Sequence, residues 1–350
     1  MRNRVGFWGW VVRVLAVGYP VALLLVILGF RLVGERWWAT CAALYLPRIG
    51  FALPLPVLTL LLALRGPRRL LIGQAVALVL LVFPLMGLRI SGGAAPTPGA
   101  VRLRVVSLNV ATGGLGTPGI LAQLRALHAD VILLQEVHLN QYDALRAGLA
   151  EYQIQAVKQF WLASRFPIEE AVEPPMIPHQ GKMRSPRFMH YRVSTPAGSV
   201  RIYNVHPISP RDALEDLRGE GLRHEVMSGR FWSSAARAKV TANATLRLAQ
   251  IQAIAEGAGR SPHPVIIGGD TNLPGLSWAL GRWLGDFQDG FAAAGKGFGY
   301  TFPAPRRPWM RIDRILASPR FRFLRFDVVE ERVSDHLAVV ADLELGPAGR

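Results

Sequence analysis

Residues 265–272 read VIIGGDTN, and this stretch decides the fold. Three apolar side chains in succession predict a strand buried on both faces, the two glycines read as a turn, and Asp270 and Asn272 follow at once. A strand that runs out into a carboxylate and an amide delivers polar groups to the edge of a sheet. The same grammar recurs outward from it. Asn109 closes VVSLNV, Glu136 closes VILLQEV, His206 closes IYNVHP, Asp313 lies in RIDRIL, and Asp335 and His336 open SDHLAVV. One such residue is a turn or a cap. Several together predict that one sheet rim gathers carboxylates, amides and imidazoles.

Around these runs strand and helix patterns alternate. Strands are predicted over 102–110, 131–136, 199–205, 265–268, 311–317 and 337–345, and helices over 120–128 and 235–256. Together they make an α/β domain over residues 101–346. The glycines at 113–116 read as a turn, and the polar, basic segments 171–190 and 208–234 as long loops. No internal repeat is present.

The amino-terminal part has a different composition. Residues 1–98 hold ten Arg, no Lys and one acid, Glu35, within a chain of 350 residues that is 51% hydrophobic and 18% charged, with net charge +16. Three apolar runs, 14–30, 37–64 and 70–88, each approach the ~20 residues a helix needs to cross a bilayer. They predict three spans, at about 9–33, 38–64 and 70–88, in a transmembrane region covering residues 1–90. Arg48 and the prolines at 47, 54 and 56 predict that the second is a kinked helix or a re-entrant hairpin. The loop arginines favour a cytoplasmic amino terminus, which puts the domain on the periplasmic or extracellular side of the cell membrane. Residues 91–100, SGGAAPTPGA, read as a small-residue tether between the two parts. The apolar content excludes a disordered chain, and the single cysteine, Cys41, excludes a disulfide or thiolate-metal scaffold.

Chemically, the polar inventory suits a hard divalent cation and a phosphate ester, since carboxylate and amide oxygens are ligands of the Mg²⁺ type. No HExxH, GxSxG or GxxxxGK[ST] pattern is present, so zincin, serine-hydrolase and P-loop readings lack support.

The motifs SLNV, LQEV, ASRFPI at 163–168, NVHP, GGDTN, RIDRIL and SDHLAV, in that order, resemble the endonuclease/exonuclease/phosphatase superfamily, DNase I-like, of a membrane-anchored bacterial kind. Its members include DNase I-like nucleases, sphingomyelinases and inositol-phosphate phosphatases. The resemblance implies a four-layered α/β sandwich, two packed mixed sheets with helices outside, and Mg²⁺ or Mn²⁺ dependence. It implies Glu136 as principal metal ligand, assisted by Asn109 and Asp335, and His206 as a phosphate contact and general acid. Asp270 would orient or deprotonate the attacking water, Asn272 would donate to phosphoryl oxygens, and Asp313 would fix the imidazole of His336. Which of these is the base stays open. Tyr300 reads as rim packing.

The expected activity is phosphodiester hydrolysis. Arg184 and Arg187 are substrate-binding candidates within a basic set that includes Lys182, Arg192, Arg211, Arg218, Arg223 and Arg230, with Phe231 and Trp232 beside them. Nucleic acid is slightly favoured as substrate. A phospholipase C-like or phosphatase activity on a lipid or inositol-phosphate headgroup is the alternative, and an inactive binding module on a membrane anchor is a third.

Overall fold

The computed structural model describes residues 6–111, 116–215 and 234–346. Gly113, Gly114 and residues Arg218, Arg223, Arg230, Phe231 and Trp232 lie outside them. In chain order the helices are α1 (Phe7–Leu32), α2 (Trp38–Leu44), α3 (Pro54–Arg65), α4 (Leu71–Leu80, continued by a π turn over Leu81–Leu85), α5 (Thr117–Ala126), α6 (Tyr142–Gly148), α7 (Arg211–Leu214), α8 (Ser234–Gly259), α9 (Trp278–Trp283) and α10 (Gly290–Ala294). The strands are β1 (Arg89–Ile90), β2 (Arg102–Asn109), β3 (Val131–Gln135), β4 (Gln153–Val157), β5 (Phe160–Ser164), β6 (Ile168–Val172), β7 (Ile177–His179) and β8 (Lys182–Arg184). They continue with β9 (Phe188–Thr195), β10 (Gly198–Val205), β11 (Val265–Asp270), β12 (Gln288–Asp289), β13 (Lys296–Gly297), β14 (Asp313–Ala317), β15 (Phe321–Val328) and β16 (Val339–Leu345).

Two six-stranded sheets, ordered β15-β16-β2-β3-β5-β4 and β12-β14-β11-β10-β9-β6, pack face to face. The two-residue side-chain period of a strand builds the layers. Leu103, Val105, Val131 and Leu133 point between the sheets to meet Tyr191, Ile202, Ile266 and Ile315. Their neighbours Val106, Leu108, Ile132 and Leu134 point the other way, under Ile120 and Leu124 of α5 and Leu145 of α6. On the far side Val265 and Ile267 pack beneath Ile251 and Ile254 of α8. The result is the four-layered α/β sandwich of DNase I-like proteins.

Three local expectations change. Gly268 and Gly269 lie inside β11 rather than in a turn, because a Cβ on Gly268 would stand 2.4 Å from Leu133 Cδ1 of the opposite sheet. The segment 171–190 is not a loop: it contains the end of β6, the β7–β8 hairpin and the start of β9. The stretch 91–100 is not a free tether. Its backbone finds partners along the domain: β1 pairs with β13, Ala94 N–H donates to Phe323 O at 2.9 Å, and Thr97 N–H donates to Glu344 Oε2 at 2.7 Å.

Phe7–Leu32 and Arg68–Leu85 are long and apolar enough to cross a membrane, and the pair Trp38–Leu44 and Arg48–Leu64, bent by 95°, makes a third if it counts as one span. This apolar part and the sandwich share one core. Leu23, Ile27, Phe30, Leu44 and Tyr45 pack with Leu214, Val240, Ala244, Leu276, Met310 and Ile312. Polar contacts pin the seam. Glu35 accepts from Ser277 Oγ and, at 3.4 Å, from Ala279 N–H. Arg48 donates to Gly275 O at 3.4 Å, and Tyr300, stacked on Phe298, donates to Met86 O at 2.9 Å.

Two outcomes follow from this seam. Residues 99–350 expressed alone should expose the apolar side chains of α8 and the 276–312 region and should aggregate without detergent; a monodisperse fragment in size-exclusion chromatography would contradict the shared core. Gly34 has φ +50° and a Cβ there would stand 2.7 Å from Trp278 Cβ. Gly34→Ala should therefore lower the melting temperature of the detergent-solubilised protein, at a cost of about 1–3 kcal/mol.

Candidate active site

The strand directions bring the polar residues together. β2 runs parallel to β3, with Asn109 beside Gln135, and β10 runs parallel to β11, with Val205 beside Gly269. Antiparallel β16 and β14 begin at the same rim, Val339 opposite Ser107 and Asp313 opposite Asp270. The ends of four strands and the starts of two others thus meet. A cleft of about 630 Å³ opens there, lined by Glu136, His206, Asp270, Asn272, Asp335 and His336. Asn109 and Asp313 are fully buried beneath. A larger depression of about 890 Å³ lies over β15 and carries none of these groups, so the chemistry belongs to the smaller one.

Glu136 and Asn272 hold left-handed backbone conformations, φ +57° and +49°. Such strain in non-glycine residues persists where surrounding contacts fix it, often at functional sites. Asn109 Nδ2 donates to Glu136 Oε1 at 3.0 Å and to Asp270 Oδ2 at 3.4 Å. His206 Nε2 lies 3.3 Å from Glu136 Oε1 and 3.7 Å from Asp270 Oδ2, while its Nδ1 is 2.9 Å from Gln159 Oε1. His336 Nδ1 is held between the Asp313 oxygens at 2.9 and 3.1 Å, which turns its Nε2 toward Asp270 Oδ2, 3.8 Å away. Asn272 donates its side-chain amide to Pro207 O at 3.0 Å and its backbone N–H to Asp270 Oδ1 at 2.8 Å.

These surroundings divide the two imidazoles. Burial, helped by the Arg187 guanidinium and His336, pushes His206 well below the ordinary histidine value and keeps it neutral. Burial also opposes charge on His336, but the carboxylates of Asp313 and Asp270 outweigh it and raise its pKa to about 10. Asp270 is pushed up to about 7, by burial first and by Asp313 and Glu136, against the opposing pull of His336. A buried carboxyl poised near neutral pH beside a fixed imidazolium is acid–base machinery.

The donor set fits a hard divalent cation. Glu136, Asp270 and Asp335 crowd oxygens into one cleft, and Asp335 Oδ1 is buried without a hydrogen-bond partner. Ligand atoms of Asp270, Asp313 and His336 lie within 4.8 Å of one another. Asp313 and His336 already satisfy each other, Asn109 holds Glu136 Oε1 and Arg211 holds Asp335 Oδ2, so the open oxygens are Glu136 Oε2 and Asp335 Oδ1.

Residues 106–336 match the endonuclease/exonuclease/phosphatase family. The chain belongs to this family. Its members hydrolyse phosphate esters and generally use divalent metals. No curated protein matches the chain. Among solved structures it is similar to the endonuclease/exonuclease/phosphatase of Bacteroides vulgatus, with 19% identity over 70% of this chain and 99% of that one at TM-score 0.52. A family protein from Bacteroides thetaiotaomicron has 18% identity over 70% and 98%, TM-score 0.51. The D. rerio TDP2 complexed with single strand DNA product has 17% identity over 69% and 98%, TM-score 0.50. At these identities the likeness is one of fold.

Not every candidate reaches this family's rim. Arg184 sits exposed on the β7–β8 hairpin and does not line the cleft. Arg187 turns inward, its Nε donating to His206 O at 3.0 Å, so it braces that histidine from behind. Other residues around the site carry no motif of their own. Gln159 meets His206, Arg211 reaches Asp335 Oδ2 at 3.3 Å, and Phe302 lies 4.7 Å from the His336 ring. Tyr45, from the apolar amino-terminal part, also lines the cleft.

The His336 pair makes a pH-dependent contribution whose sign is fixed. Its folded pKa, about 10, lies above the roughly 6.5 of an unfolded histidine. The stabilisation is therefore full below about pH 6.5 and fades as pH rises toward the folded value. Measured by denaturant midpoints in EDTA, the deficit of Asp313→Asn relative to the parent should be largest near pH 6 and shrink toward pH 10. A deficit independent of pH would show that the pair does not hold a proton.

Proposed function

We propose that this protein is a membrane-anchored, divalent-cation-dependent phosphoester hydrolase whose substrate is a lipid headgroup phosphoester at the membrane surface. The observation that carries the reading is the presence of Tyr45, from the apolar amino-terminal part, in the wall of the catalytic cleft. On this reading α1, the Arg48–Leu64 arm of the broken pair and α4 cross the bilayer. With 26 residues α1 is about 39 Å long. Exposed Trp8 and Trp10 near its start and Trp37 beyond its end suit the two interfacial belts. The seven-residue α2 is too short to cross and would lie along the interface. The sandwich then stands on the face opposite the amino terminus and the 65–69 turn, as the loop arginines also suggest.

Exposed Leu46, Ile49 and Leu53 flank Tyr45 and Arg48, and Phe302, Trp309 and Met310 carry the apolar surface into the cleft. An acyl chain has a path along them. Nucleic acid, favoured by charge counting, has less support. Arg187 faces His206, Arg192 pairs with Glu169 and Arg211 with Asp335.

For the reaction we assign Asp270 to take the proton of the attacking water. His336, kept charged by Asp313, faces the developing charge and can protonate the leaving oxygen. Neutral His206, whose Nδ1–H donates to Gln159 Oε1, presents a bare Nε2 that can accept a hydrogen bond from the attacking water, and the free amide hydrogen of Asn272 reaches a non-bridging oxygen. Glu136 and Asp335 would hold the cation, with Asn109 orienting Glu136. When bound, the cation neutralises the phosphoryl oxygens.

The test uses full-length protein in nanodiscs. Lipid phosphoesters in vesicles should be hydrolysed with Mg²⁺ or Mn²⁺ and not after EDTA, with little dependence on salt. Glu136→Gln should weaken metal affinity and recover part of its rate at excess metal. Cleavage of DNA or RNA that falls steeply between 50 and 200 mM salt, with lipids untouched, would overturn the lipid assignment and install the nuclease reading. A flat panel with metal present would favour the inactive module.

A further inference from the structure

Tyr45 is buried where α2 ends, and its hydroxyl donates to the Asn272 carbonyl at 2.8 Å, across 227 positions of chain. Asn272 is the strained residue just past β11. Its backbone N–H holds Asp270 Oδ1, and its side-chain amide holds the carbonyl of Pro207, the residue after His206. A continuous series of hydrogen bonds therefore starts in the apolar segment and ends on the carboxyl assigned as base and on the His206 turn.

A second connection runs beside it. Arg247 of α8 is fully buried and, among the described residues, has no carboxylate within ion-pairing distance. Its guanidinium lies 5.6 Å from the Tyr45 ring and 3.8 Å from Cys41 Sγ. It donates to Ile208 O at 3.2 Å and to Asn243 Oδ1 at 2.7 Å. Gln250, one turn on, donates to Ser185 O and accepts from Ile208 N–H at 2.8 Å. Thus α2 touches both turns that present the reacting groups, one through the Tyr45 hydroxyl and one through Arg247. The sandwich fold has no use for this contact: β11 and β10 are paired without it.

We propose that Tyr45 is a positioning residue: by fixing the Asn272 carbonyl and backing Arg247 it sets where Asp270 and His206 stand, so that the site is competent only with the 34–53 segment seated. The inference rests on the hydrolase reading for its kinetic consequence, though the coupling itself does not. Displacing reacting groups by a fraction of an ångström lowers turnover more than it lowers binding.

Full-length protein in nanodiscs is compared with Tyr45→Phe, which keeps the ring against Arg247 and removes only the hydroxyl, and with Tyr45→Leu, which removes both. On a soluble chromogenic phosphodiester with Mg²⁺, Tyr45→Phe should lower kcat about tenfold, with KM within about twofold and the melting temperature lowered by no more than a few degrees. Tyr45→Leu should lower kcat further. Hydrogen exchange read on the same samples should speed up at 206–210 and 271–275 in both variants and stay unchanged at 265–268. Parental kcat in Tyr45→Phe, unaltered exchange at the two turns, or a rate loss matched by a lowered melting temperature and faster exchange throughout would each overturn the proposal. An inactive parent would defeat the hydrolase reading instead, and the exchange data would still decide the coupling.

Discussion

Beneath the cleft Gln135 of one sheet donates to Asn204 of the other at 2.7 Å and to Ser107 at 3.3 Å, while Asn204 donates to the carbonyls of Leu134 and Trp161. All three polar residues are fully buried. Buried amides are costly unless partnered, so this bridge tolerates only one alignment of the two sheets. A slip of one residue in either would turn its inward set outward. The alignment is what makes Asn109 and Glu136 from one sheet meet His206 and Asp270 from the other. Gly268 of β11 serves the same end by letting Leu133 approach.

The apolar segment is the second fixed relation. It shares a core with the sandwich and lays several of its polar contacts on the 270–279 loop that follows β11. That loop carries Asn272 at one end and the helix start capped by Ser277 at the other. Fixing it at several points removes freedom from the turn nearest the reacting groups. An anchor joined by slack chain would leave that turn to loop motion.

The parts of this arrangement that were legible in the sequence are those with local signals. Strand ends such as SLNV, LQEV and GGDTN announce themselves because β-branched and Leu-rich runs stop abruptly at polar residues, and their shared rim follows from sheet geometry. The bend in the second apolar run is foreshadowed by Pro47, Arg48 and Pro54. β4 and β6, QIQAV and IEEAV, escape because they lie at sheet edges with half-exposed side chains, and glutamines or glutamates interrupt the apolar run. The docking of 91–100 escapes because backbone pairing leaves little trace in composition. Charge counting gave Arg184 and Arg187 the same weight, although one is exposed on a hairpin and the other is half-buried against His206. Tyr45 has no periodicity or motif to mark it, since its role depends on a partner far away in the chain.

The pairing of β1 with β13 gives the chain no slack between the last apolar helix and the sandwich. Under the proposed topology this removes tumbling of the sandwich above the bilayer and holds the cleft at one height and one azimuth. Such an enzyme samples substrate by lateral diffusion in two dimensions. Its rate would then track the mole fraction of substrate lipid in the leaflet, rather than the molar concentration in the surrounding water, and dilution with inert lipid would slow it where dilution with buffer would not.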